Sequence, residues 1–185
     1  MKKRIVMKFG GTSVGGAKAI KQVSTILLEH PKTDYEIAVV VSAAAGITNS
    51  LNTSILQAQN FSEGDFEVTL EQAHLSLEKT SENVIKERSA KRAFSQTLLQ
   101  YFQKANSICQ DIKNEDIGIP RLVDQVLSIG ECIQIHLVAA SLKQNGIPCI
   151  PIQSSQIIKT DSCFQNAAPI QPITNHKIYE KLIPF

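Results

Sequence analysis

The stretch RIVMKFGGTSVGGAKAIKQVSTILL, residues 4–28, decides the fold of this chain. Residues 4–9 are an apolar run of strand length that ends at two glycines, and residues 17–28 carry apolar side chains at helical spacing. The predicted order is therefore strand, glycine turn, helix. Residues 36–41 (EIAVVV) begin a second such unit, because their β-branched run is typical of a parallel strand covered on both faces. A helix is expected to follow near Thr48, which would suit its N-cap.

Most of the remaining chain is predicted to be helical. Residues 65–114 contain neither proline nor glycine, and their apolar positions at helical spacing predict two long helices. Pro120 suits the first turn of a further helical stretch, which is interrupted near Gly130 and resumes over residues 131–144. Residues 147–152 predict a third strand.

Strands that alternate with helices imply right-handed crossovers and a mainly parallel sheet with helices on both faces. The sequence therefore predicts an α/β protein with a three-layer α/β/α arrangement. Residues 166–174 form the most loop-like stretch, and a last short helix is predicted at residues 179–183. We find neither an internal repeat nor an interdomain linker, so residues 1–185 are expected to form one unit.

The charge balance argues against a nucleic-acid or membrane partner. Nineteen lysines and arginines nearly cancel 17 aspartates and glutamates, which leaves a formal net charge of +2 and no extended field. No apolar run approaches the roughly 20 residues that a membrane-crossing helix needs, and the basic start leads into a strand-length run. We therefore expect a cytoplasmic protein.

The cysteines and histidines form no metal-binding pattern. The cysteines lie far apart without a C-x-x-C pair, and no histidine completes a zinc-type spacing. The cysteines are therefore predicted to be buried, reduced thiols, and the histidines packed or surface residues. These residues are Cys109, Cys132, Cys149, Cys163, His30, His74, His136 and His176.

The turn after the first strand has the chemistry of a polyphosphate site. Lys8 precedes Gly10 and Gly11, and hydroxyl side chains follow. Glycines let backbone N–H groups approach phosphate oxygens, a helix start adds partial positive charge, and a lysine neutralises charge in phosphoryl transfer. The lysine precedes the glycines, so this is not a Walker A loop, nor is it G-x-G-x-x-G. A tight connection with a surface lysine is the alternative.

Residues 6–14 (VMKFGGTSV) resemble the signature with which aspartokinases begin. Residues 40–51 (VVSAAAGITNSL) are similar to the second-strand motif of that family, and residues 124–131 (DQVLSIGE) to its Gly-Glu motif. The helical segment and residues 159–161 (KTD) resemble the lysine-sensitive, monofunctional type. The resemblance implies the amino acid kinase fold.

The family activity implied is transfer of the ATP γ-phosphate to the side-chain carboxylate of L-aspartate, with Mg²⁺ bridging phosphate oxygens. The resemblance assigns the transferring phosphate to Lys8, which would be the catalytic residue. Phosphate-binding residues would be Lys8, Phe9, Gly10, Gly11 and Ser13, and aspartate-binding residues Ser42, Thr48 and Glu131. From the residues alone, the alternative for Thr48 is a helix N-cap, and that for Glu131 is a first-turn carboxylate favoured by the helix dipole; both can coexist with function.

In the family, an Arg/Gly-Gly-Ser-Asp motif and most of the nucleotide site come later than anything that aligns with residues 1–185. We therefore expect this chain to be the amino-terminal part of the catalytic domain, with a helical insertion at about 65–114, no regulatory ACT domain and an incomplete site. An exposed apolar sheet edge would lie where the missing strands dock. The complete enzyme is expected to be a homo-oligomer. The alternatives are a kinase for another amino acid or carbamate, and a non-catalytic remnant or phosphate-binding module.

Overall fold

A two-stranded parallel sheet and a set of helices make up the described part of this computed structural model, residues 3–30, 34–60, 65–114 and 118–182. The strands are β1 (Lys3–Phe9) and β2 (Tyr35–Val41). The α-helices are α1 (Ala17–Leu28), α2 (Ile47–Asn60), α3 (Phe66–Val84), α4 (Arg88–Asn114), α5 (Ile119–Leu127), α6 (Ile129–Gln144) and α7 (Gln171–Lys181). Short 3₁₀ turns lie at Gly11–Ser13 and Ser154–Gln156.

The register of the sheet determines where the site can form. Lys8 lies opposite Val40, and Phe9 lies opposite Val41. Because the strands are parallel, their carboxyl ends meet at the same edge of the sheet. The turns that follow β1 and β2 therefore start side by side.

The two faces of the sheet differ in environment. Phe9 and Val41 pack against the helical core, whereas Val6 is 73% exposed and Val40 is 47% exposed. The predicted mixed α/β class with a parallel sheet is confirmed. The described helices, however, cover only one face, so the expectation that β2 is covered on both faces is not met within these ranges.

The two long helices predicted within residues 65–114 are confirmed as α3 and α4. Asp65 caps α3, since its side chain accepts a hydrogen bond of 2.9 Å from the backbone N–H of Glu67. Buried apolar side chains line one stripe of each helix, as Leu77 does on α3 and Leu98 on α4. The two helices pack on each other and form much of the core together with α2 and α6.

The helices α5 and α6 follow the predicted signals closely. Pro120 lies in the first turn of α5, after Gly118 with a φ of 82°. The predicted interruption falls at Ser128, between α5 and α6 and two positions before Gly130, which lies inside α6. Gly146, with a φ of 75°, ends α6 as predicted, because glycine adopts this left-handed conformation without a Cβ penalty.

The prediction of a third strand at residues 147–152 is wrong, because that stretch has no ladder pairing. Pro148 and Pro151 lie within it and lack the backbone N–H that a ladder requires. The last helix, α7, begins at Gln171, inside the predicted loop, with a proline in its first turn. Ile183, the predicted end of that helix, lies outside the described residues.

The stretch Ile119–Gln144 contradicts the expectation that no apolar run approaches the length of a membrane-crossing helix. By length and composition it is apolar enough to cross a membrane, and no other stretch in the described ranges is. However, 56% of the most apolar window is buried within the protein. A helix in the core of a globular fold has these properties.

Candidate functional site

The turn after β1 places a lysine beside exposed backbone. The backbone of Gly10 is extended, and the 3₁₀ turn Gly11–Ser13 follows it. The Ser13 N–H donates to the Gly10 carbonyl at 2.9 Å. The exposed Lys8 side chain folds back over this turn, since a Cβ built on Gly10 would lie 3.7 Å from Lys8 Nζ. Phe9 packs its ring on the core and so anchors the strand end. The result is an accessible turn of small residues with an ammonium beside it.

The turn after β2 lies directly against the first turn. The Ala45 N–H donates to the Gly11 carbonyl at 3.2 Å, and a Cβ on Gly11 would lie only 2.9 Å from the Ala43 carbonyl oxygen. Any larger residue at position 11 would push the two turns apart. Gly46, with a φ of 88°, then turns the chain into α2.

The two hydroxyl residues predicted to bind an amino-acid substrate follow β2. Ser42 is half-buried, and its backbone N–H donates to the Phe9 carbonyl at 3.2 Å, which extends the pairing of the strands. Thr48 is exposed and lies one residue inside α2, which begins at Ile47. The interpretation of Thr48 as an N-cap is therefore wrong, because an N-cap residue precedes the first helical residue.

The first turn of α6 reaches the turn after β2 through a glycine and a glutamate. A Cβ on Gly130 would lie 2.8 Å from the Cβ of Ala43 and 3.4 Å from Cγ2 of Ile47, so glycine permits this close approach. Glu131, which is half-buried, accepts a hydrogen bond from the Ala43 N–H at 3.2 Å through Oε1. The carboxylate thus fixes the turn after β2 while it lies at a helix N-terminus, where negative charge is favoured.

Sequence reasoning missed Gln134, which lies one helical turn after Glu131. Its side chain is buried, with 1% exposed, and Nε2 donates to the Val14 carbonyl at 3.0 Å. Val14 directly follows the 3₁₀ turn and is completely buried. The available signal was a single amide in an otherwise apolar stretch at position i+3 from Glu131.

The charge pattern divides the site into two sides. Lys8 supplies a positive group on the β1 side, and Glu131 supplies a negative group where α6 meets the turn after β2. The first turns of α2 and α6 lie together, and their N-terminal backbone groups carry partial positive charge. Such an arrangement suits a ligand pair with phosphate on one side and an ammonium-bearing carboxylic acid on the other.

The structure brings the predicted site residues to one place. The β1 turn, the β2 turn and the start of α6 contact one another through their backbones and through Glu131. Thr48 lies at the start of α2, beside this junction. The predicted residues that lie in these elements are Lys8, Phe9, Gly10, Gly11, Ser13, Ser42, Thr48 and Glu131.

The cysteines and histidines are not among the predicted site residues, although Cys132 lies beside Glu131 in the first turn of α6. Burial raises the pKa of the Cys109 thiol to about 11, but Cys132 and Cys149 are only half-buried and Cys163 is exposed, so the prediction of buried thiols is confirmed for Cys109 alone. Burial lowers the pKa of His136, which lies near the Tyr101 ring. Within the described ranges, no three His, Cys, Asp or Glu side chains group as metal ligands would.

Comparison with known proteins points to one family. Residues 3–182 match the sequence profile described as the amino acid kinase family. An aspartokinase of Chlamydia muridarum is 29% identical over 167 residues, which cover 89% of this chain and 33% of that protein. An aspartate kinase of Pseudomonas fluorescens is 27% identical over 175 residues, which cover 94% of this chain and 29% of that protein. The chain thus spans about a third of the length of these relatives.

The fold is also similar to that of a solved structure. E. coli aspartokinase III, crystallised in complex with aspartate and ADP, superposes with a TM-score of 0.83 at 21% sequence identity. The match covers 98% of this chain and 38% of the E. coli chain. The likeness extends over nearly all of the present chain.

Proposed function

The chain belongs to the amino acid kinase family, and on that basis we propose that it is the amino-terminal part of an aspartate kinase catalytic domain. The reaction is transfer of the ATP γ-phosphate to the β-carboxylate of L-aspartate, which gives 4-phospho-L-aspartate. One observation carries the proposal: the turn after β1, with its lysine, meets the turn after β2 and the Gly-Glu start of α6. The names of the relatives support aspartate as the acceptor.

The β1 turn is the proposed phosphate side. The Cβ position of Gly10 is open apart from Lys8 Nζ at 3.7 Å, so a phosphate oxygen has access to the backbone and to the ammonium together. Backbone N–H groups of Gly10 and Gly11, with the exposed Ser13 hydroxyl, would hold phosphate oxygens. Lys8 would then stabilise the charge of the transferring phosphoryl group.

Mg²⁺ is expected to accompany ATP, because it neutralises phosphate charge in such reactions. Mg²⁺ is usually held by one or two carboxylates together with substrate phosphates. The described residues contain no group of three metal-ligating side chains.

Ser42, Thr48 and Glu131 form the proposed aspartate side. Glu131 uses Oε1 for the Ala43 N–H, and a carboxylate has further lone pairs that accept hydrogen bonds from an α-ammonium group. The exposed Thr48 hydroxyl and the half-buried Ser42 would hydrogen-bond a substrate carboxylate. Glu131 would thus combine a structural contact with substrate binding.

The proposed reaction depends on positioning of the substrates more than on covalent catalysis. The side-chain carboxylate of aspartate, with a pKa near 3.9, is ionised at neutral pH and needs no general base. The protein would hold this carboxylate in line with the γ-phosphate and stabilise the charge that develops. Lys8 on one side and Glu131 on the other would set the spacing of the two substrates.

The wider assignments follow from the same proposal. We assign α3 and α4 to the helical insertion of the catalytic domain. We place the protein in the cytoplasm as a homo-oligomer, with aspartate and ATP as its partners and with neither nucleic acid nor membrane among them. The near balance of charge argues against a nucleic-acid or membrane partner.

ADP formation by the full natural protein tests the proposal. We expect ADP release that depends on L-aspartate, and we expect L-glutamate and N-acetylglutamate to be much poorer phosphate acceptors. Lys8→Ala should lower kcat about 10²- to 10³-fold, as removal of one charge-stabilising donor does. Lys21→Ala, which removes an exposed lysine from α1, is the matched control and should keep wild-type activity.

Two outcomes would contradict the proposed function. Equal rates with L-glutamate would indicate a kinase for another amino acid. No aspartate-dependent ADP formation by the wild type would favour a phosphate-binding module that lacks catalysis.

A further inference from the structure

A buried glutamine amide holds the end of the glycine turn. Gln134 lies on α6 between Ile133 and Leu137, which are both completely buried. Its Nε2 donates to the Val14 carbonyl, whereas Oε1 is buried and has no hydrogen-bond partner among the described residues. Burying a polar atom without a partner costs free energy, which an apolar side chain of similar size would avoid. The hydrogen bond to the Val14 carbonyl is therefore what this amide contributes at its position.

The contact fixes the far end of the turn. Strand β1 holds the near end of the turn through its pairing with β2. Gln134 holds the far end through the carbonyl of Val14, which lies 120 residues away in sequence. The residues between these ends include the 3₁₀ turn Gly11–Ser13, whose Ser13 and Thr12 are exposed. A turn held at both ends presents its N–H groups in one arrangement, so a ligand need not order it.

The same face of α6 also holds the other turn. Glu131, one helical turn before Gln134, accepts from the Ala43 N–H at 3.2 Å. One rigid helix thus contacts the turn after β1 through Gln134 and the turn after β2 through Glu131. The two contacts keep a constant spacing between the two sides of the site.

We propose that Gln134 is a positioning residue of the phosphate site, which holds the glycine turn in its phosphate-receiving conformation through the Val14 carbonyl. This inference rests on the proposed function, since it assumes that the turn binds the triphosphate of ATP. Gln134 acts through Val14 and does not touch the substrate.

The test compares two glutamine substitutions on α6 in the full natural protein. Gln134→Met keeps the length of the side chain and removes the donor. Gln144→Met is the matched control, because Gln144 also donates through Nε2 to a backbone carbonyl, that of Val84, at the opposite end of the helix. Calorimetry should show Mg-ATP binding at least fivefold weaker for Gln134→Met, with the KM for L-aspartate within twofold. Gln144→Met should leave both within twofold of wild type.

Gln134→Glu makes the contact with the Val14 carbonyl depend on pH. A carboxyl group buried there has a raised pKa, and only its protonated form has an O–H that donates to the Val14 carbonyl. Mg-ATP affinity relative to wild type should therefore be weak at pH 9 and recover as the pH falls to 6. The Gln134→Met variant should show no such recovery.

Amide hydrogen exchange without ligand measures the same contact independently of activity. Peptides that cover residues 10–16 should exchange faster in Gln134→Met than in wild type and Gln144→Met. Faster exchange with unchanged Mg-ATP affinity would overturn the inference alone, as would equal losses of affinity in the two methionine variants. A wild-type protein that binds no Mg-ATP would overturn the proposed function and this inference together.

Discussion

Gly11 is the residue at which the two turns of the site touch. Its carbonyl accepts from the Ala45 N–H at 3.2 Å, and the space where its Cβ would lie is taken by the Ala43 carbonyl oxygen, 2.9 Å away. Gly10, its neighbour, has room, since only Lys8 Nζ lies within 4 Å of the Cβ position. Two adjacent glycines thus have different reasons to be glycine: Gly11 for close packing and Gly10 for access.

Gly11→Ala is predicted to destabilise the protein. The added methyl must displace backbone, and overpacking of this kind costs about 1–3 kcal/mol. Gly10→Ala is the matched control, because its φ of −74° suits alanine and the contact with Lys8 Nζ is an ordinary one. Urea denaturation should show a lower free energy of unfolding for Gly11→Ala and an unchanged one for Gly10→Ala. Equal effects of the two substitutions would contradict the packing argument.

At the residue scale, the sequence predicts the site only in part. Lys8 and the glycines have a recognisable chemistry, because a lysine beside a glycine turn at a strand end matches a phosphate. Gln134 carries only the weak signal of one amide in an apolar stretch, because its role depends on Val14, which lies 120 residues away in sequence. The close approach that requires Gly130 is likewise visible only in three dimensions.

Helix α6 is the element that organises the site. It contributes Glu131 to the turn after β2 and Gln134 to the turn after β1, and Gly130 lets its first turn approach. Its remaining buried face, with Leu137 as an example, packs in the core. A movement of this one helix would therefore change both sides of the site at once.

Gly130→Ala tests the close approach of α6. The new methyl would lie 2.8 Å from the Ala43 Cβ, so the helix must move away and weaken the bond between Glu131 and Ala43. We expect the KM for L-aspartate to rise about tenfold, which corresponds to about 1.4 kcal/mol. Steady-state kinetics on the full natural protein measures this.

The double variant Gly130→Ala with Ala43→Gly is the control for that clash. It removes the methyl that Gly130→Ala strikes and should recover much of the lost L-aspartate affinity. A double variant as weak as Gly130→Ala alone would show that the clash is not the cause.

At the element scale, periodicity predicts helices better than it predicts the third strand. The helices α3 and α4 follow from apolar spacing without glycine or proline, and both are present. Residues 147–152 form a continuous apolar run, but Pro148 and Pro151 remove two of the backbone N–H donors that a strand ladder needs. These two prolines are visible in the sequence, and as evidence against a strand they outweigh the apolar pattern.

At the scale of the whole molecule, the described helices lie on one face of a two-stranded sheet. The other face exposes Val6 and Val40. Class, parallel pairing and the order of the first elements could be predicted, because they depend on local periodicity and on the handedness of crossovers. Coverage of the second face could not, since it depends on which segments pack there.

The most direct test of the account is amide hydrogen exchange of the full natural protein with Mg-ATP and L-aspartate. We predict that Mg-ATP alone slows exchange in residues 10–16, and that added L-aspartate extends protection to residues 42–48 and to the first turn of α6. Exchange that is unchanged in these segments, or protection confined to the groove lined by Phe94, His136 and Lys143 between α4 and α6, would contradict the account.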